Sequence, residues 1–214
     1  VARSNRSGKP LSLYFHIPFC DTLCFSCACN KIVTHKRSRA MPYLERVDRE
    51  MALQAEVFDT DRPVSQLHWG GGTPTYISEH EMTWLMDANR RNFQLLDNEE
   101  GECSVEVHPG RMSVGKLVHM RQLGFNRVSM GVQDFNPEVQ RAVNRYNSVE
   151  QVRELVDVAR DQGYQSISMD LIYGLPLQTR EGFGRTLDLV LQARPDRLAV
   201  YSYAHLPHMF RPQK

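Results

Sequence analysis

Leu11-Ser12-Leu13-Tyr14-Phe15-His16-Ile17 runs through Pro18-Phe19 into Cys20-Asp21-Thr22-Leu23-Cys24-Phe25-Ser26-Cys27-Ala28-Cys29. The first seven residues are mostly aliphatic and aromatic, which predicts a short strand that Pro18 stops. The cysteine loop therefore follows the C-terminal end of a strand, where parallel α/β folds build their sites. The rest of the chain repeats the unit that this strand begins.

Apolar residues at Leu44, Val47, Met51 and Ala55 predict a helix over 43–57. Residues 65–69 read as a second strand, closed by Gly70-Gly71-Gly72-Thr73-Pro74-Thr75. Ser78 and Glu81 match a capping box that opens a helix to Asn92. Residues 103–108 alternate as a third strand, ended by Pro109-Gly110. A helix over 113–123 meets Gly124 at its natural stop. A fourth strand over 127–132, helices over 137–143 and 149–162, and a fifth strand over 166–172 follow. A helix over 181–193 and a sixth strand over 197–203 complete the pattern. Six strands alternating with helices predict a parallel sheet with right-handed crossovers. Polar residues at the C-terminal ends of the strands favour an open partial (β/α)6 barrel over a doubly wound sheet. No helix is expected after the sixth strand.

The chain has 214 residues, 41% hydrophobic and 24% charged, with a net charge of +1. That is a globular composition with nothing pointing to nucleic acid or membrane. No apolar run reaches transmembrane length, and the basic, polar start is not a secretory signal. Residues 1–10 read as a flexible lead-in and 11–214 as one domain, expected to be monomeric. The first residue is Val1, so the chain reads as a piece of a longer one. Free clustered cysteines favour a reducing, cytoplasmic setting.

Four of the five cysteines lie within ten residues, and the first three are spaced C-x3-C-x2-C. Three thiolates so close can share one metal centre, one ligand short of a closed site. If Cys20, Cys24 and Cys27 hold a [4Fe–4S] cluster, one iron stays open for a reacting ligand. A disulfide framework would spread its cysteines through a small chain. A structural zinc site would want paired C-x2-C halves, although His16 and His35 leave zinc open by counting. A redox pair of Cys24 and Cys27 leaves Cys20 unexplained. Cys29 is expected to point away from the shared centre, and Cys103 to be a core thiol.

The strand ends add candidates. Gly70-Gly71-Gly72 allows close backbone approach to a ligand or simply a turn, and it fits neither the P-loop nor G-x-G-x-x-G. Glu106 and Asp170 sit among apolar neighbours, so each is either solvated outside or needs a partner inside. Arg145, beyond Gln133-Asp134, could clamp a carboxylate. Together they suggest a pocket for a zwitterionic, hydroxyl-bearing ligand. Tyr14, His16 and Tyr203 could add stacking or polar contacts, and Trp69 is expected in the core.

These residues resemble the radical S-adenosylmethionine (SAM) enzymes. More narrowly, Tyr14-Phe15-His16-Ile17-Pro18-Phe19-Cys20, Cys27-Ala28-Cys29-Asn30-Lys31-Ile32-Val33-Thr34, His68-Trp69-Gly70-Gly71-Gly72-Thr73-Pro74-Thr75, Ser129-Met130-Gly131-Val132-Gln133-Asp134-Phe135, Asp170-Leu171-Ile172-Tyr173-Gly174-Leu175-Pro176 and Tyr203-Ala204-His205-Leu206-Pro207 look like the oxygen-independent coproporphyrinogen III dehydrogenases. The resemblance implies a [4Fe–4S] cluster on Cys20, Cys24 and Cys27, with SAM chelating the open iron. An electron from a low-potential donor would cleave SAM to a 5′-deoxyadenosyl radical. The radical would take a hydrogen from a propionate of coproporphyrinogen III, and loss of CO2 would leave a vinyl group. Done twice, this yields protoporphyrinogen IX for haem synthesis, with two SAM molecules near one cluster. Tyr14, Gly71, Gly72, Thr73, Glu106, Gln133, Arg145, Asp170 and Ala204 fall where that family contacts SAM. Cys29 matches a cysteine that is not a cluster ligand. Ser26 departs from a usual aromatic, and His108 from a common Asp. The family's N-terminal extension and C-terminal domain do not appear, so a catalytic-domain fragment with little turnover is expected. The alternative within the superfamily is a haem chaperone.

Overall fold

The computed structural model describes residues 1–96, 100–208 and 211–213. A short helix α1 (Ala2–Ser7) precedes strand β1 (Leu11–Ile17). A two-residue ribbon, β2 (Phe19–Cys20) and β3 (Ile32–Val33), then brackets the cysteine loop. Helix α2 (Ala40–Ala55), β4 (Val64–Gly71), α3 (Glu79–Asn92), β5 (Glu102–Val107), α4 (Val114–Leu123) and β6 (Arg127–Gln133) follow. The series ends with α5 (Pro137–Ala142), α6 (Val149–Asp161), β7 (Ser166–Tyr173), α7 (Arg180–Gln192) and β8 (Arg197–Ser202).

The six long strands form one parallel sheet in the order β1-β4-β5-β6-β7-β8. Every long crossover joins neighbouring strands in the same direction. Right-handed crossovers place α2, α3, α4, α6 and α7 on one face, and the sheet is open, with β1 and β8 at its edges. Side chains alternate across it with period two. On the helix side, Trp69, Val105, Met130, Ile167 and Leu171 are buried with Leu44, Met82, Leu117 and Val156 in one core. Trp69 packs edge-on against Phe125 with ring centroids 4.8 Å apart. Each such fully buried side chain contributes about 1.5–3 kcal/mol. On the other face, Tyr14, His68, Ser104, Glu106, Ser129, Ser168 and Asp170 are partly or largely exposed. The polar surface thus runs along the strands and is not confined to their C-terminal ends.

Local chemistry explains the helix boundaries. Ser78 and Glu81 form the expected reciprocal capping box, and Ser148 and Gln151 form a second one. Gly124 ends α4 at φ 109°, which glycine adopts without penalty.

Within the expected lead-in the chain forms helix α1. Residues 2–7 are helical and tied down by polar contacts that no apolar pattern announces. Asn5 Nδ2 donates to Val57 O at 3.0 Å, and the buried Arg62 donates to Ser4 Oγ at 3.2 Å and Lys9 O at 2.6 Å. Residues 209, 210 and 214, the end of the expected domain, lie outside the described residues. Among the described residues no helix is long and apolar enough to cross a membrane.

Candidate active site

Cys20 ends β2, and its carbonyl accepts from Thr34 N at 2.9 Å, so the ribbon fixes both ends of the cysteine loop. The loop is then pinned to the far side of the sheet. Phe25 N donates to Val143 O at 2.8 Å, and Asn144 Nδ2 donates to Leu23 O at 2.8 Å. Lys31 Nζ donates to Cys27 O at 2.7 Å, closing the loop on itself. Asp21 accepts from Arg37 Nη2 through both carboxylate oxygens, at 2.7 and 2.9 Å.

Cys20, Cys24 and Cys27 line one small hollow, together with Gly72, Thr73, His108 and Arg145. Among the described residues no three His, Cys, Asp or Glu converge closely enough to share a single ion. Thr73 Oγ1 lies 3.5 Å from Cys20 Sγ, and Arg145 Nη1 donates to Cys24 Sγ at 3.7 Å. Burial pushes the Cys20 thiol up, against the Thr73 hydrogen bond. Cys27 is held well below the usual thiol range, chiefly because the Cys29 thiol donates to it, with help from Lys31 and Arg145. Cys29 is held high by the same bond. Cys29 is exposed and lies outside the hollow that Cys20, Cys24 and Cys27 line. Cys103 is partly buried and packs against the core, and burial pushes its thiol up to about 12.

A larger cavity of about 290 Å3 opens from this hollow at the C-terminal ends of the strands. Gly71, Gly72 and Thr73 line it from the end of β4, and Glu106 from β5. Gln133 and Arg145 line it from β6 and the segment beyond α5, and Asp170 from β7. A Cβ on Gly72 would lie 2.5 Å from Pro18 O, so only glycine lets this strand end meet the strand beside it. Gly71 has φ 116° and donates to Glu106 Oε2 at 3.3 Å. Glu106 Oε1 meets His68 Nε2 at 3.2 Å, and His68 Nδ1 meets Ser104 Oγ at 2.6 Å. Glu106 therefore faces the polar side of the sheet and has partners there.

Asp170 accepts from Ser129 Oγ at 2.9 Å. Burial pushes its carboxyl up, and the Ser129 bond opposes this. Arg145 donates to Gly131 O from Nε at 3.0 Å and Nη2 at 2.6 Å. A Cβ on Gly131 would meet that guanidinium at 2.5 Å. Between Gly131 and Gln133 the register with β7 shifts, and Gln133 takes φ 67°. A bulge of this kind re-aims a side chain next to a site. Gln133 Oε1 is buried without a partner.

Two expected residues lie off the cavity wall. Tyr14 is 58% exposed, stacks on His68 with centroids 5.7 Å apart, and shares a hydrogen bond of 3.0 Å with His16 Nδ1. It stands at the rim. Ala204 lies in the exposed segment after β8, where its carbonyl accepts from Gln213 Nε2 at 3.2 Å. Sequence reasoning missed His68, whose signal was its place on the polar side of the alternation Gln66, His68, Gly70. It also missed Asn144 and Val143, whose role depends on contacts far along the chain.

The comparisons with known proteins fit this architecture. The sequence model of the radical SAM superfamily matches residues 14–190. The chain belongs to that superfamily. The oxygen-independent coproporphyrinogen III oxidase of Pseudomonas aeruginosa is 48% identical over 211 residues, which cover 99% of this chain and 46% of that protein. Its namesake from Escherichia coli is 51% identical over 206 residues, 96% of this chain and 44% of that one. The solved structure of the Escherichia coli coproporphyrinogen III oxidase, described as a radical SAM enzyme, superposes with a TM-score of 0.91. It is 51% identical, with 96% of this chain and 46% of that chain covered. A radical SAM methyltransferase from Kitasatospora setae shares the fold alone, at 15% identity and a TM-score of 0.61. The chain thus spans less than half the length of the curated relatives it matches.

The radical SAM family implies a [4Fe–4S] cluster and SAM. The residues present fit both. Three sulfurs face one hollow, and a cavity rich in polar groups adjoins it. Two buried polar atoms, His108 Nδ1 and Gln133 Oε1, have no protein partner. An unpaired buried group costs on the order of 1–3 kcal/mol, which a bound ligand would recover.

Proposed function

We propose that this chain is the barrel portion of an oxygen-independent coproporphyrinogen III oxidase. The observation that carries this reading is the placement of Cys24 and Cys27 in one cavity with Gly72, Glu106, Arg145 and Asp170. The substrate is taken from the relatives of about 50% identity.

Cys20, Cys24 and Cys27 would each give one thiolate to the cluster. The strand end at Gly71–Thr73 offers close backbone approach for the amino-acid end of SAM. Arg145 is fixed by Gly131 O and can face a carboxylate. Glu106 and Asp170 offer carboxylate oxygens to hydroxyls. Gln133 Oε1, buried and unpaired, can accept a hydrogen bond from the same ligand. When bound, cluster and SAM would supply the radical chemistry that oxidises a substrate propionate to a vinyl group with loss of CO2, a hydrogen atom and an electron. Two such rounds, with a second SAM nearby and a low-potential donor, would convert coproporphyrinogen III to protoporphyrinogen IX. Tyr14 at the rim is the group placed to meet that second SAM or the substrate. No feature of the site favours the haem-carrier alternative.

Anaerobic reconstitution tests the reading. Four irons and four sulfides per chain, a cluster spectrum perturbed by SAM, and SAM cleavage on reduction are expected. One zinc without sulfide, or a cluster indifferent to SAM, would overturn it. An assay for decarboxylation of coproporphyrinogen III tests the substrate.

A further inference from the structure

We propose that His108 is a hydrogen-bond donor to the iron–sulfur cluster and helps to set its reduction potential. The inference rests on the reading of the site given above. His108 follows the last residue of β5 and is 6% exposed. Its ring lines both the cysteine hollow and the adjoining cavity. Its Nδ1 is buried and has no partner in the protein. Its carbonyl accepts from Arg111 N at 3.0 Å, which fixes the backbone that carries the ring.

The neighbourhood decides which way the proton points. The long cations of the hollow, Arg111, Arg145 and Lys31, are donors only. Asp21 is already engaged by Arg37, and the Thr73 hydroxyl is turned to Cys20. The sulfurs of Cys20, Cys24 and Cys27 line the same hollow and are acceptors. An imidazole carries at least one N–H, and with Nδ1 buried and unpartnered beside three sulfurs that N–H is placed on Nδ1. Hydrogen bonds to cluster sulfurs stabilise the reduced, more negative state and raise the potential.

The test is a potentiometric titration of the reconstituted protein under anaerobic conditions, read by the electron paramagnetic resonance of the reduced cluster. His108→Gln keeps a donor and is expected to stay near the wild-type potential. His108→Phe removes the donor and should shift the potential negative, and His108→Asp should shift it further by adding an anion. A His108→Phe variant with wild-type iron, sulfide and potential would overturn the proposal. Should that variant fail to hold a cluster, pulsed resonance on wild-type protein labelled with 15N-histidine decides. A weak 15N coupling that vanishes in His108→Gln is expected. No coupling, or one as large as direct ligation gives, would overturn it. Failure of the wild-type chain to assemble any cluster would instead sink the reading of the site itself.

Discussion

The backbone amide of Gly71 donates to the side chain of Glu106 at 3.3 Å, tying the end of one strand to its neighbour on the polar side of the sheet. The carboxylate is thereby aimed before any ligand arrives. Replacing Glu106 by Ala should weaken SAM binding tenfold or more, about 1.4 kcal/mol. Calorimetric titration of the reconstituted protein reads this. Thermal stability should change little, because the side chain is 44% exposed. Unchanged SAM affinity would remove Glu106 from the site.

Gly72 and Gly115 make a paired test. A Cβ on Gly72 would stand 2.5 Å from Pro18 O, whereas one on Gly115 meets nothing within 4 Å. Gly72→Ala should displace the backbone beside Cys20 and cut iron incorporation several-fold. Gly115→Ala, inside α4, should stabilise by roughly 0.5–1 kcal/mol and leave iron content unchanged.

The cysteines divide by role. Cys24→Ala should abolish cluster assembly, while Cys29→Ala should leave most of the iron bound. Cys29 is exposed and lies outside the hollow that the other three cysteines line. Iron and sulfide analysis after anaerobic reconstitution decides, and equal loss in both would overturn the assignment.

Asp134 anchors the segment that carries Gln133 and Arg145. It is 1% exposed and accepts from Thr186 Oγ1 at 2.9 Å, Gln178 Nε2 at 2.6 Å and Asn136 N at 2.6 Å. Asp134→Ala strands these donors and should cost on the order of 3 kcal/mol. Scanning calorimetry should show Tm lowered by roughly 6–12 °C.

Alkaline stability follows from two buried acids. Burial pushes Cys103 up to about 12 and holds Tyr164 above the usual phenol range. Tyr164 is fixed by its hydrogen bond to Leu117 O at 2.9 Å. Above about pH 9 the unfolded chain loses its thiol proton while the folded chain keeps it, and above about pH 10 the phenol does the same. The unfolded state then binds fewer protons, so stability falls as pH rises from 9 towards 12. Urea midpoints across that range should fall less steeply in Tyr164→Phe, and less again with Cys103→Ala added.

The sequence carries local signals well. Alternation in 103–108 fixed a strand and its two faces, and Ser78 with Glu81 marked a helix start that the structure reproduces. The C-x3-C-x2-C spacing and the triple glycine marked two parts of the site because each is contiguous in sequence. The remainder depends on distant partners. The bulge that turns Gln133 inward appears only when β6 is laid beside β7. The contact of Cys29 with Cys27 depends on how the loop closes over Lys31. Helix α1 is held by Arg62, more than fifty residues away, so its order left no mark on its own composition.

The cysteine loop is made early, yet the groups that shape it come late. Asn144 reaches back 121 residues to Leu23, and Gln213 reaches back 188 residues to Phe25. During synthesis the sulfurs therefore leave the ribosome long before their frame exists. Iron delivered to the nascent chain would meet an unshaped peptide, so metal loading is expected to follow translation of the barrel.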